Sequence, residues 1–96
     1  MEKSVSLYFM FGKYSSEAVR EISKERTEAA SRIVTEFGGE IKSMYILMGA
    51  YDLVLITSFP NMKEALQASI AITKATGISF STLPAMPVEE FDQLIK

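Results

Sequence analysis

From Lys3 to Phe11 the chain alternates, with Val5, Leu7, Phe9 and Phe11 on one side and Ser4, Ser6, Tyr8 and Met10 on the other. A period of two marks a strand with unlike faces. Ser15 or Ser16 then offers a helix cap, with Glu17 placed where the positive end of a helix favours an acid. Helical spacing runs from there to Phe37, and Gly38-Gly39 stop it, because a left-handed helix end is unstrained only in glycine. Val19, Ile22, Ala29, Ile33 and Phe37 form the apolar stripe, and Arg26 falls on it where an apolar residue is expected. Ser23 is a second possible cap, which allows a kink there.

Glu40 to Met48 and Tyr51 to Phe59 read as a second and third strand, joined through Gly49-Ala50 as a hairpin. Leu53-Val54-Leu55-Ile56 is apolar on both faces, which predicts a central strand covered on both sides. Pro60 ends it. Asn61 with Glu64 three residues on forms a variant capping box for a helix that runs to Gly77 and is rich in alanine and isoleucine. Ile78 to Leu83 is a fourth strand, Pro84 and Pro87 break regularity, and Val88 to Ile95 predicts a short terminal helix with Glu89 and Glu90 in its first turn. The order is βαββαβ plus a helical tail. Two right-handed crossovers joined by a hairpin give an α+β, ferredoxin-like sandwich: a four-stranded antiparallel sheet with helices on one face. Residues 1–96 are expected to form one domain.

Composition narrows the chemistry. Cysteine and histidine are both absent from the 96 residues. Thiol nucleophiles, disulfides, thiolate or imidazole metal sites and a Ser-His-Asp triad are therefore excluded, and no metal or cofactor is expected. Loss of histidine, the commonest proton carrier near neutral pH, also weighs against an enzyme. Ten basic residues are dispersed among twelve acidic ones for a net charge of −2, so no basic stripe invites nucleic acid. No apolar run is long enough to span a membrane, and the N-terminus lacks a signal-peptide pattern, which makes the cytoplasm the expected location.

With helices on one face, the other face needs a partner. The first strand is expected to present Ser6, Tyr8 and Met10 there, and the fourth strand Ser79, Ser81 and Leu83. A mixed apolar and small-polar surface predicts a homodimer or higher homo-oligomer whose sheets face each other as a dimeric α/β barrel, with room for a small ligand between them. Two further positions carry candidate chemistry. Tyr51-Asp52, after the hairpin glycine, can supply a donor and a general base, or can serve the turn itself. Arg26 can bind a carboxylate or phosphate, or can snorkel to solvent.

The stretch Met48-Gly49-Ala50-Tyr51-Asp52-Leu53-Val54-Leu55-Ile56 resembles the GYD family, named for a Gly-Tyr-Asp element between its second and third strands. Here Ala50 separates Gly49 from Tyr51, so only Tyr51 and Asp52 carry over as a contiguous pair. The likeness extends through Glu25-Arg26, Phe37-Gly38-Gly39-Glu40 and Thr82-Leu83-Pro84-Ala85-Met86-Pro87-Val88-Glu89-Glu90-Phe91. The resemblance implies a dimeric α/β-barrel fold but no transferable activity, cofactor or catalytic residue. Related barrels include cofactor-free monooxygenases, isomerases and the ligand-sensing domains of leucine-responsive regulators. Three readings follow: a homodimeric small-molecule-binding module, a cofactor-free oxygenase or isomerase, and a ligand-sensing oligomerisation domain.

Overall fold

The computed structural model describes residues 6–15 and 24–95. Its elements run β1 (Ser6–Tyr14), α1 (Lys24–Glu36), β2 (Glu40–Ile46), β3 (Leu53–Phe59), α2 (Met62–Thr76), β4 (Ile78–Ala85) and α3 (Val88–Leu94). The expected start of the first strand at Lys3, the cap at Ser16, Glu17, the stripe residues Val19 and Ile22 and the kink at Ser23 lie outside the described residues. The sheet order is β2-β3-β1-β4 with every neighbouring pair antiparallel. Each crossover helix thus skips one strand, and the expected ferredoxin-like α+β sandwich is what forms.

The local signals act where the sequence puts them. Asn61 accepts from the amides of Lys63 and Glu64 at 3.0 and 3.4 Å, satisfying donors that the first turn of α2 leaves open. Gly77 closes that helix with φ of 78°, its amide bonded to Thr73. Two adjacent glycines end α1 for different reasons. Gly38 takes φ of 82°, whereas a Cβ at Gly39 would lie 2.5 Å from the Phe59 ring, so that position is bare because β3 passes against it. The hairpin is looser than expected: β2 ends at Ile46 and β3 begins at Leu53, and the intervening residues form an open connection.

The side chains of β1 face the opposite way from the sequence reading. Tyr8 and Met10 are buried in the same cluster as Ala30 and Val34 of α1 and Ala65, Ala68 and Ile72 of α2. Both helices therefore cover the even positions of β1, and Leu7, Phe9 and Phe11 lie on the other face. The strand continues to Tyr14, and its register explains the choice. An odd-face core would have carried Lys13 beneath the helices, whereas the even face offers Gly12, whose missing side chain is filled by Phe80, Ile78 and Leu53. On β3 the pattern holds: Leu55 and Phe59 point to the helices with Thr57 between them, its hydroxyl donating to the Tyr8 carbonyl at 2.9 Å. β3 is buried on both faces, as expected of a central strand.

Candidate functional site

Two surfaces remain after the core is formed. The first is the sheet face opposite the helices. Register pairs Phe9 with Ile56 and Leu83, and Phe11 with Val54 and Ser81, so large apolar side chains run across three strands. Tyr51 extends the patch. Its ring lies 5.3 Å from that of Phe11, and its hydroxyl is 3.4 Å from Ser81 Oγ on β4. Tyr45 on β2 stands on the same face, 57% exposed. The face is thus more apolar than the serine-lined surface expected, because the phenylalanines of β1 occupy it.

The second surface is a cavity of about 260 Å³ between the first turn of α1 and the sheet. Its floor is buried and apolar, made by Ala30, Leu53, Leu55, Ile72 and Ile78. Tyr14, Arg26, Thr27 and Ile46 stand around it and are less buried. Arg26 is there by helical phase. It precedes Ala30 by four residues and Val34 by eight, so it continues the buried face of α1 past the edge of the packed core. The expected stripe of Ala29, Ile33 and Phe37 flanks this face rather than forming its centre. The Arg26 guanidinium sits 5.2 Å from the centre of the Tyr14 ring, within cation–π range, which keeps the charge at the cavity rather than swinging in water.

The sequence-derived candidates are therefore divided among several places. Ser79 and Ser81 are exposed on the open face, as expected. Tyr8 and Met10 lie under the helices, and Ser6 shares their side of β1 at its exposed end. These five residues do not line one space, since a sheet separates Tyr8 and Met10 from Ser79 and Ser81. Tyr51 and Asp52 also part company. While Tyr51 reaches across the open face to β4, the Asp52 carboxylate accepts the Tyr14 amide at 2.8 Å and the Asp52 amide donates to the Gly12 carbonyl at 2.8 Å. Adding the Leu47 amide on the Asp52 carbonyl, also at 2.8 Å, this residue latches the β2–β3 connection to the end of β1. Sequence reading missed Phe9, Phe11 and Ile56 on the open face and Tyr14 at the cavity. The continuation of β1 through Gly12-Lys13 was the signal available for the first two.

The architecture defines a class of small α+β domains with one helix-covered and one open sheet face. Within that class, the GYD domain model matches residues 8–95, and the chain belongs to the GYD domain family. No curated protein matches it. Among solved structures, it is similar to the leucine response regulatory protein LrpA of Mycobacterium tuberculosis, with a TM-score of 0.57 and 10% identity. That likeness covers 85% of this chain and 51% of LrpA, so the chain spans about half the length of that regulator; at this identity the likeness is one of fold. No helix among the described residues is long and apolar enough to cross a membrane.

Proposed function

We propose that this GYD domain is a homodimeric small-molecule-binding module, in which two copies pack sheet on sheet and each holds its ligand between its own helices and sheet. The cavity of about 260 Å³ carries the reading: a concave, apolar-floored space with a few polar groups at its margin is the general form of a small-molecule site. The apolar open face supports the pairing, since Phe9, Phe11, Ile56 and Leu83 form a contiguous patch of the kind that monomers seldom leave in water. Packed sheets sit roughly 10 Å apart. Side chains of that size fill such a gap, so the ligand is placed behind the sheet rather than between the sheets.

A second reading, a sensing domain whose output is assembly, draws on α3. Val88, Phe91, Leu94 and Ile95 are each at least half exposed, and no residue of α3 is buried. Such a helix offers a surface for association beyond a pair.

Native mass spectrometry of the purified protein, beside a denatured control, tests the proposal. A dimer that carries a reproducible small adduct is expected, and Ile56→Lys should convert it to a folded monomer. A wild-type monomer would overturn the pairing. Dimers that never hold a small molecule, native or added, would overturn the binding role.

A further inference from the structure

We infer that the groove between α2 and β4 receives α3 of a second copy, and that this contact joins one pair of chains to another. The inference rests on the second reading above and names the surface on which α3 docks. Isolated helices shorter than about 12–15 residues are marginal in water. α3 has seven residues and buries none of them, so its stability has to come from another surface. Val88, Phe91 and Leu94 recur at a spacing of three and Ile95 continues the stripe, the pattern of a helix that lies in an apolar groove.

A groove of matching chemistry lies at the β4 edge of the sheet. Leu66 and Ile70, one turn apart on α2 and about half exposed, form one wall, and Phe80 of β4 lies in the other. The groove has a volume of about 470 Å³. At roughly 30 Å³ for a water-sized group it takes about fifteen such groups, close to the side-chain carbons of Val88, Phe91 and Leu94 together. Charge matches as well. Exposed Lys74 stands at the groove on the last turn of α2, and α3 carries Glu89, Glu90 and Asp92 beside its stripe. The β4 residues of the groove, Ser79 to Thr82, precede the end of the strand at Ala85, and α3 starts beyond it after an extended Pro87 (φ −58°, ψ 144°). Within one chain α3 stays exposed, so a second copy supplies the helix.

A helix of seven residues is roughly 10 Å long, too short to cover the ~800 Å² per partner of a stable interface. One such contact leaves single chains apart. Pairs, each with two helices and two grooves, engage through two contacts at once.

Sedimentation velocity of the full chain over a dilution series tests this. The wild type should be a pair when dilute and form larger assemblies as its concentration rises. Ile70→Asp in the groove, Phe91→Asp on α3 and Lys74→Glu should each keep the pair and move assembly to at least about tenfold higher concentration. Circular dichroism of each variant confirms folding. A mixture of the Ile70→Asp and Phe91→Asp proteins should assemble again, because one supplies an intact helix and the other an intact groove. A mixture of Ile70→Asp with Leu66→Asp, both altered in the groove, should not. Assembly unchanged in any of the three single variants, or no recovery in the first mixture, overturns the groove as the docking site and leaves assembly by another surface. Wild-type pairs that never associate overturn the inference and the assembly reading together.

Discussion

Replacement of Asp52 separates a latch from a catalytic base. The carboxylate accepts the Tyr14 amide at 2.8 Å in a half-buried setting, so Asp52→Ala removes a charge-assisted hydrogen bond and leaves a strand amide without its acceptor. Hydrogen bonds to charged groups are worth about 1.5–3 kcal/mol. Because water can reach part of the site, the lower half of that range applies, about 2 kcal/mol. For a domain of this size, each kcal/mol moves the melting temperature by roughly 4–8 °C, so Asp52→Ala should lower it by about 8–16 °C. Asp52→Asn keeps an oxygen acceptor and loses only the charge, which should cost about 0.5–1 kcal/mol. Thermal and urea unfolding of the three proteins, followed by circular dichroism, gives both numbers. If Asp52→Ala costs less than about 0.5 kcal/mol, or if Asn is as damaging as Ala, the latch is refuted.

Further substitutions test the rest of the fold. Gly39→Ala should cost about 3 kcal/mol in urea unfolding, since its Cβ would lie 2.5 Å from the ring of the fully buried Phe59 and 2.8 Å from the Ser58 carbonyl. Gly38→Ala, whose penalty is the positive φ with the nearest atom at 3.4 Å, should cost only about 1 kcal/mol. Loss of the Asn61 cap in Asn61→Ala should lower stability by about 1 kcal/mol. The two faces of β1 should respond in opposite ways to the same charge: Met10→Asp prevents folding, while Phe9→Asp leaves a folded chain that no longer associates. Size-exclusion chromatography with circular dichroism reads that pair, and a folded Met10→Asp would refute the assignment of faces.

The GYD family relationship agrees with the fold, and the geometry adds a separation that family membership does not convey. Tyr51 belongs to the open sheet face and Asp52 to the latch at the end of β1. The family's signature residues thus serve two different surfaces in this chain. Within one short stretch, the Tyr51 ring meets Phe11 while the Asp52 carboxylate meets the Tyr14 amide.

Much of this architecture follows from local rules that need no tertiary information. Alternation in β1, the apolar run of β3, the Asn61 cap, the Gly77 stop and the glycine pair after α1 each act within a few residues, so they are legible in a single sequence. Their order then leaves few topologies open, and the ferredoxin-like sheet is among them. Which face of β1 became the core was a different kind of question. Both of its faces are apolar enough to be buried, and period two says only that they differ. Register against β3 and β4 decided it, placing Gly12 where Leu53, Ile78 and Phe80 converge and leaving Lys13 in solvent. Arg26 was decided in the same way. Its place on a helical stripe was visible from spacing, but whether the stripe there met packed side chains or a gap depended on how far α1 overhangs the sheet. Such non-local distances arise only when elements remote in sequence pack together, and they are what turned an odd charge on an apolar stripe into the rim of a cavity.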